Sequence, residues 1–357
     1  MTVDQLFNWL NTLVPAMENS GLLLVVAILI PCLALFLVVA VNAIVMVYAE
    51  RKVSAFMQDR MGPMGQGVGL HAGKWGLLQT VADALKLLTK EDIIPEKADK
   101  FLFILAPFVI FIGAFVAIIA VPFGETVIVA DFNIGIFYIL AMGSLGVIGL
   151  ILAGWSSNNK WSLYGGMRSA AQIVSYEIPA GLSLIVVIML TETLSMQGII
   201  QYQEGGMFNW IIFSNPFAFV AFFIYFISVV AETNRTPFDI PEAESELVGG
   251  FHTEYSGMRW SFFFLSEYAN MLVVSAVGAA GFLGGWHSPI PGYFDSNGWG
   301  VFWMLSKIVF LIFVMMWFRW TFPRLRVDQL MNICWKVFLP ISLINIFGVG
   351  FWTLIFG

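Results

Sequence analysis

Charged residues are scarce in this chain. Asp, Glu, Lys and Arg make up 11% of its 357 residues, whereas a soluble domain carries about 25%. Hydrophobic residues make up 59%, and the mean hydropathy is +0.85. The net charge is -6 and the few basic residues form no stripe over a folded surface, which excludes a nucleic-acid-binding module. A chain with so many apolar residues needs lipid around it, so we expect a membrane protein.

Cysteine and histidine are also rare, which limits the cofactors that the chain could hold. The two cysteines, Cys32 and Cys334, lie in separate apolar runs, without the spacing of a disulfide framework or an iron–sulfur site. We expect both to be small buried residues. His71, His252 and His287 fall in loops or at helix ends, which excludes haem held by this chain alone on membrane helices.

Signals for nucleotide binding and for secretion are missing. No Walker loop occurs, and the glycine-rich segment 62–73 lacks the preceding strand that a dinucleotide fingerprint requires. No Lys or Arg precedes Arg51, so the first apolar run lacks the basic region of a signal peptide and, at about 28 residues, is too long for one. We therefore expect a retained membrane helix, no metal site and no redox cofactor bound by this chain alone.

Eight apolar runs are long enough to cross a bilayer, which takes about 20 residues of helix. They lie near residues 21–49, 101–121, 134–155, 170–190, 216–231, 260–284, 300–320 and 333–356. No internal repeat or soluble domain interrupts them. The sequence predicts an all-α membrane protein, a single polytopic domain over residues 1–357 with eight transmembrane helices and both termini on one side.

The distribution of basic residues predicts how the chain is oriented in the membrane. The connections after the first, third, fifth and seventh runs, with the helix ends beside them, hold all 17 Lys and Arg residues except Lys307. In membrane proteins the cytoplasmic connections carry the excess of Lys and Arg. These four connections are therefore predicted to lie inside, with both termini on the outer, periplasmic side.

The first inner connection, residues 50–100, contains two further helical patterns. One covers residues 50–61 and the other residues 75–90. In the second, apolar residues recur at helical spacing opposite Asp83 and Lys86, as in a helix that lies in the membrane interface. Both patterns are too short to span, so we expect interfacial amphipathic helices.

Acids occur at membrane depth: Glu177 lies in the fourth predicted span, Glu232 at the end of the fifth and Glu267 in the sixth, and Lys307 lies in the seventh. A charge at the centre of a membrane helix costs about 2.5–3.5 kcal/mol on insertion scales, and such residues usually mark ion or proton pathways. Pro179 removes a backbone donor close to Glu177, so nearby carbonyl groups need water or side-chain partners. We expect a hydrated pocket there. The alternative is that these side chains only snorkel or pair near the membrane surfaces.

The inner connection 232–259 is rich in acids. Six carboxylates lie near the guanidinium of Arg235: Glu232, Asp239, Glu242, Glu244, Glu246 and Glu254. If residues 241–248 form a helix, Glu242 and Glu246 share a face, and their like charges would raise at least one pKa toward neutrality. Such a cluster can take up and release protons. A plain solvated loop has a similar composition, but interleaved apolar residues such as Phe238 favour a functional site.

Several motifs run through the chain from the first span to the last. The most specific is A-E-T-N-R-T-P-F-D-I-P-E-A-E-S-E-L-V-G-G-F-H-T-E-Y at 231–255. Others are A-E-R-K at 49–52, S-A-A-Q-I-V-S-Y-E-I-P at 169–179 and R-W-T-F-P-R-L-R-V-D-Q-L-M at 319–331. Together they resemble the quinone-site membrane subunit of respiratory complex I, called the H subunit in bacteria and subunit 1 in mitochondria.

The resemblance implies a subunit of NADH:quinone oxidoreductase without a redox centre of its own. Such a subunit joins the membrane arm to a peripheral arm that holds NAD, FMN and iron–sulfur clusters, and with it encloses a quinone cavity. By motif, Glu50, Arg51, Arg60, Arg235 and Phe238 would line the quinone passage. A proton relay would comprise Glu177, Glu232, Asp239, Glu242, Glu244, Glu246, Glu254 and Glu267. The family usually has other residues at Met64 and at 71–76, near the cavity mouth.

Other functions fit the same pattern. The homologous subunit of a membrane-bound hydrogenase, or of an F420H2- or ferredoxin-linked complex, would share the fold. A free-standing cation/proton antiporter would also carry intramembrane Glu and Lys, and a structural anchor could use the acids for subunit contacts alone.

The expected function is a complex I subunit that couples quinone reduction to proton translocation in a bacterial inner membrane, rather than the mitochondrial one. Its partners would be other complex I subunits, quinone and lipid.

Overall fold

The computed structural model of the protein describes residues 21–64, 74–241, 244–292 and 297–356. Within these ranges the chain is helical and contains no strand, which confirms the all-α prediction. The helices are α1 Gly21–Met57, α2 Gln79–Thr89, α3 Lys100–Ile118, α4 Gly135–Ser156, α5 Lys160–Thr191, α6 Met196–Tyr202, α7 Ile211–Ser214, α8 Pro216–Glu232, α9 Glu244–Leu247, α10 Gly257–Phe282, α11 Asn297–Thr321 and α12 Val327–Phe356.

Seven of the described helices are long and apolar enough to cross a membrane: α1, α3, α4, α5, α10, α11 and α12. The remaining predicted span corresponds to α8, whose 17 residues are near the short limit for a crossing. Asn215 caps α8 by accepting a hydrogen bond from Ala218 N at 2.6 Å, and Pro216 follows in the first turn, so the helix starts there. The multi-pass fold is thus confirmed, while the eighth crossing and the side of the termini remain predictions.

The prediction of a separate helix over residues 50–61 was wrong. α1 continues through Glu50 and ends at Met57, which makes it 37 residues long. No glycine or proline occurs between Pro31 and Gly62, so no stop signal ends the helix at the membrane boundary. The second pattern corresponds to α2, in which only Thr80 is buried. Its place in the membrane interface remains a prediction.

α5 runs without interruption through Pro179. Proline lacks the N–H that would bond to the carbonyl group four residues earlier, here that of Ser175, and Cys334 Sγ on α12 donates to this oxygen at 3.0 Å instead. The neighbouring Tyr176 hydroxyl donates to Leu330 O of α12 at 2.9 Å. The predicted burial of cysteine is therefore confirmed for Cys334 and wrong for Cys32, which is half-buried on the peripheral α1.

α10 lies at the centre of the bundle. It packs against α1, α3 and α11, and 72% of its most apolar stretch is buried, against 17% for the peripheral α1 and α12. Alanine and glycine are frequent among its buried residues, and small residues let membrane helices approach closely. The polar side chains of Glu267 and Asn270 on this helix consequently line internal cavities.

The four basic connections meet at one end of the bundle, which we call the basic end. Ion pairs join different connections: Arg168–Glu246, Arg235–Glu50, Arg259–Asp92, Arg319–Glu50 and Arg324–Asp239. If an odd number of membrane crossings lay between two of these connections, the connections would be on opposite sides of the membrane and their residues could not pair. The pairs therefore agree with the predicted alternation of the connections, while the membrane side that the basic end faces remains a prediction.

Lys307 lies toward the opposite end, in α11. Its Nζ donates to Gly285 O and to His287 O, both at 2.8 Å, and lies 4.1 Å from the ring centroid of Trp210. Two carbonyl groups and an aromatic face thus hold the buried cation and fasten the connection after α10. For Lys307 these contacts fit the alternative considered above, a side chain that pairs near a membrane surface.

Close packing of α3 against α4 gives a test of the fold. In Gly149→Ala the new Cβ would lie 2.3 Å from Ile110 Cγ1, 3.0 Å from Ile110 N and 3.2 Å from Ala106 O, so the two helices must separate. Overpacking of this kind costs about 1–3 kcal/mol. We expect a lower thermal unfolding midpoint of the detergent-extracted protein. In the matched variant Gly146→Ala the added Cβ meets nothing within 4 Å, and equal midpoints for the two variants would contradict the observed packing.

Candidate functional site

A buried carboxylate near the end of α1 gathers two guanidinium groups. Glu50 is 6% exposed, and Arg235 Nη1 donates to its two oxygens at 3.0 and 3.1 Å. Arg319, near the end of α11, pairs with the same carboxylate, and the Tyr268 hydroxyl of α10 donates to it at 2.5 Å. Three helices and the connection after α8 therefore meet at one side chain. We call Glu50, Arg235, Tyr268 and Arg319 the Glu50 cluster.

A second carboxylate balances the charge of this cluster. Glu267 Oε2 lies 3.8 Å from Arg235 Nη2, so two carboxylates face two guanidinium groups. Burial alone would lower the pKa of Arg235, but nearby negative charge, that of Glu50 above all, outweighs burial and raises this pKa above its usual value. The guanidinium carbon also lies 4.7 Å from the ring centroid of Tyr268. In such a buried network a change to one charge disturbs all the others.

The segment between α11 and α12 holds one side of the connection after α8. Arg324 Nη2 donates to Asp239 Oδ2 at 2.9 Å, and Leu325 N donates to Pro237 O at 3.0 Å. The motifs at 231–255 and 319–331 are therefore in direct contact through side chains and backbone.

α5 holds the other side of this connection through one amide. Gln172 is 2% exposed, and its Nε2 donates to Ala231 O and to Phe238 O, both at 2.7 Å. Phe238 itself is buried, with its ring centroid 5.5 Å from that of Tyr176. The helix that carries Glu177 is thus fastened to the loop that carries Arg235.

The structure describes part of the segment 241–248, for which a helix was considered. Among its described residues Glu244–Leu247 is helical, and Val248 ends this turn in a left-handed conformation with φ 66, which a β-branched residue rarely adopts. Residue Glu242 and the side chain of Glu244 lie outside the part of the chain that the structure describes. The predicted face shared by Glu242 and Glu246 therefore remains untested.

Glu246 has a basic partner that the sequence pattern did not indicate. Arg168 Nη1 of α5 donates to its carboxylate at 2.7 Å. This hydrogen bond holds the pKa of Glu246 below its usual value. The raised pKa expected for at least one of Glu242 and Glu246 is therefore not found at Glu246, where a cation from outside the loop lies close, and it stays untested for Glu242, which lies outside the described residues.

A cavity of about 360 Å³, here the inner cavity, lies beside the Glu50 cluster. Its walls combine the charged side chains of Arg235, Arg319 and Glu267 with the aromatic rings of Trp260 and Phe264, whose centroids are 5.3 Å apart. Pockets for small molecules typically measure about 300–1,000 Å³ and join apolar walls to a few polar groups. The inner cavity has the size and the mixed polarity to hold a ring with polar substituents.

Two further cavities continue from the inner cavity toward the middle of the bundle. The middle cavity, of about 60 Å³, shares Asn234 and Glu267 with the inner cavity. The deep cavity, of about 380 Å³, shares Glu232 and Asn270 with the middle cavity and reaches Glu177. Three of the predicted acids, Glu267, Glu232 and Glu177, therefore line a succession of cavities in that order.

The cavities are large enough for water. A water molecule needs about 10–15 Å³ of accessible volume and two to four polar partners, so even the middle cavity has room for several. The carboxylates and the amides of Asn234 and Asn270 supply such partners. The hydrated pocket expected near Glu177 thus has a counterpart in the deep cavity. Within the described residues, no three His, Cys, Asp or Glu side chains are grouped to hold a metal ion.

The remaining predicted site residues lie at the basic end but outside these cavities. Arg51 Nη1 pairs with Asp83 of α2 at 2.6 Å, and Arg60 is exposed just beyond α1. Glu254 accepts a hydrogen bond from Asn159 at 2.5 Å, which ties the loop to the start of α5. Their predicted roles in the quinone passage and the relay remain predictions.

The segment that departs from the family pattern lies partly outside the described residues, which omit 65–73 and with them His71. Met64 is exposed. Beyond the gap, Lys74–Gly76 forms a 3₁₀ turn, and the Tyr48 hydroxyl of α1 donates to Trp75 O at 2.8 Å. This contact fastens the segment to the helix that carries Glu50.

Sequence reasoning missed the groups that complete the site. Partners of the predicted acids are Arg168, Tyr268, Arg319 and Arg324. Gln172 holds the backbone of the loop, and Asn270 lines the cavities beside Glu232. Most of them lie within the quoted motifs or beside Glu267, so the motifs marked the right segments. Pairing across up to 269 positions, as between Arg319 and Glu50, has no signal in a single sequence.

The Glu50 cluster predicts a large stability effect from a small change. Glu50→Gln keeps the shape of the side chain but removes the charge that offsets Arg235 and Arg319. Breaking a buried ion pair costs about 3–5 kcal/mol because the partner charge stays buried, so the thermal unfolding midpoint of the detergent-extracted protein should fall sharply. The control Glu246→Gln alters an exposed pair worth about 0–1 kcal/mol. Similar losses in both variants would show that the cluster is not buried.

Comparisons with known proteins agree with this arrangement. A family model described as NADH dehydrogenase matches residues 30–350. The chain is 55% identical to the H subunit of NADH-quinone oxidoreductase from Chlorobaculum tepidum, over 86% of this chain and 87% of the relative. It is 49% identical to the second H subunit from Geobacter metallireducens, over 91% and 95%, and 44% identical to the H subunit from Bacteroides thetaiotaomicron, over 95% and 94%. The resemblance indicated by the motifs is confirmed, and the chain belongs to the NADH dehydrogenase family, whose members include the H subunits of NADH-quinone oxidoreductase.

Proposed function

We propose that this chain is the membrane subunit of a proton-pumping NADH:quinone oxidoreductase that encloses the quinone site and couples quinone reduction to proton translocation. The observation that carries the proposal is the succession of cavities from the Glu50 cluster to Glu177. The relatives named above are subunits of NADH-quinone oxidoreductase, which favours this function over a hydrogenase subunit or a free-standing antiporter.

In this proposal the inner cavity is part of the quinone passage. A quinone ring has two carbonyl oxygens that accept hydrogen bonds, and Arg235 and Arg319 offer donors at the cavity wall. Trp260 and Phe264 offer flat apolar surfaces for the ring itself. Electrons come from an iron–sulfur cluster of the peripheral arm, where NAD and FMN are also bound. This chain supplies the binding, the orientation and the charges around the quinone.

Charge on the quinone then acts on the carboxylates. Reduction to the quinol takes up two electrons and two protons, and negative charge that arrives beside Arg235 and Arg319 competes with Glu50 and Glu267 for them. A carboxylate that loses its cationic partner takes up a proton more readily. Water in the middle cavity can connect Glu267 to Glu232, and the deep cavity connects Glu232 to Glu177. The perturbation thus travels inward as proton shifts.

The loop acids belong to the same proposal. Asp239 lines the inner cavity and pairs with Arg324, so movement of the loop around a quinone would alter this pair. Glu242, Glu244, Glu246 and Glu254 would adjust the charge and hydration of the loop from its exposed side. We place the chain in a bacterial inner membrane, with membrane-arm and peripheral-arm subunits of the same complex as partners.

The energy scale is consistent with a relay. Moving one charge across 100 mV costs about 2.3 kcal/mol, and a bare charge in the low-dielectric interior costs several kcal/mol more. A path lined by carboxylates and water avoids such bare charges, because each proton transfer leaves the charge next to polar partners.

Removing one acid of the deep cavity tests the proposal. In the assembled complex, Glu177→Gln keeps the size of the side chain but cannot carry a proton. Quinone reductase activity and proton pumping should fall about tenfold or more. Such a fall corresponds to a rise of at least about 1.4 kcal/mol in the activation free energy. NADH oxidation by an artificial acceptor should stay near normal, because those electrons leave before the quinone site.

The matched control is Glu192→Gln, at the far end of the same helix, where the residue is exposed. It should leave both activities near normal. Coupled activity retained in full by Glu177→Gln, with normal pumping, would overturn the relay.

A further inference from the structure

The middle and deep cavities share three wall residues: Gly143 of α4, Glu232 of α8 and Asn270 of α10. Three different helices thus contribute one residue each to the boundary. Among these three residues Glu232 is the one that can titrate, so its carboxyl group is placed to hold a proton between the two cavities. We call these three residues the junction.

Asn270 is the polar neighbour of that carboxyl group. Its side chain lines both cavities together with Glu232, and it lies one helical turn from Glu267, which lines the middle cavity. An amide offers two N–H donors and a carbonyl acceptor but does not itself titrate. It can therefore orient a carboxyl group and bind water without storing the proton.

Gly143 leaves the space in which the carboxyl group lies. Beyond its own helix, a Cβ added at Gly143 would meet a single atom within 4 Å, Glu232 Oε1 at 3.8 Å. Ordinary helix packing would not require glycine here. A larger side chain at this position would instead project into the boundary between the two cavities.

We propose that Asn270 is a positioning residue for Glu232, holding its carboxyl group at the junction where it exchanges protons with both cavities, and that Gly143 keeps this junction open. The inference rests on the proposed proton relay and adds to it two residues that cannot titrate. A purely structural role for Asn270 would be packing between α8 and α10. The two roles predict opposite rankings of substitutions.

The test compares Asn270→Leu with Asn270→Ser in the assembled complex. Leucine keeps the branched shape and the number of heavy atoms but removes every donor, whereas serine leaves a gap but keeps a hydroxyl and room for water. A positioning role predicts that leucine lowers quinone reductase activity and pumping about tenfold or more, while serine retains most of both. A packing role predicts the reverse, because the smaller side chain leaves a cavity. Activities are normalised to artificial-acceptor NADH oxidation, which reports assembly.

Gly143→Leu provides a second, independent variant. It should lower coupled activity about tenfold or more although it removes no polar group. The control is Gly181→Leu, since a Cβ at Gly181 also meets nothing within 4 Å and the residue lines none of the three cavities. This control should remain near wild type.

The outcomes separate this inference from the relay itself. If leucine at position 270 is worse than serine and Gly143→Leu is impaired, the junction is supported. If serine is as impaired as leucine, or if both are normal, the junction is overturned. If the Asn270→Leu complex does not assemble, Asn270→Ala is compared with Asn270→Ser instead. Equal activity of these two variants would then overturn the proposal. Glu232→Gln is measured in parallel: its full activity would overturn the relay, whereas its loss alongside a normal Asn270→Leu would overturn the junction alone.

Discussion

Burial of one carboxylate between two guanidinium groups is the constraint on which the rest of this structure depends. An ion taken out of water costs several kcal/mol even after the protein relaxes, so Glu50 and Arg235 can be buried only together, and the half-buried Arg319 pairs with the same carboxylate. Their segments must therefore converge: the end of α1, the connection after α8 and the end of α11. Tyr268 adds α10 to the same point. The residue next to it, Glu267, is thereby placed at the start of the cavities.

In the proposed function, this arrangement links the quinone site to the half-buried acids through charge rather than through a large movement. The inner cavity is lined by the same Arg235 and Arg319 that pair with Glu50, so a ligand that attracts these cations would change the environment of Glu50 and Glu267 directly. Gln172 and Arg324 hold the loop on both sides, which limits how far it can move. The proposed relay therefore answers new charge at the quinone with a proton shift along Glu267, Glu232 and Glu177.

Hydrophobic patterning and charge distribution were sufficient to predict the helical membrane fold and most span boundaries, because the cost of exposing polar groups to lipid acts on each segment separately. Local patterning failed at residues 50–61, where α1 continues to Met57 instead of giving way to a separate helix. The buried acids were predicted for the same reason as the spans, since a lone carboxylate in an apolar run is costly. Their partners, such as Arg319 for Glu50, depend on tertiary contacts that no local pattern records.

The central claim is that reducing the quinone changes the protonation of carboxyl groups inside the bundle. Infrared difference spectroscopy of the assembled complex, between the oxidised and reduced quinone states, observes the carbonyl stretch of protonated carboxyl groups directly. The account predicts a carboxyl band that appears with quinone reduction in the wild type and is lost or displaced in Glu232→Gln and in Glu177→Gln. A spectrum with no carboxyl change on quinone reduction, or one that is identical in both variants and the wild type, would contradict it.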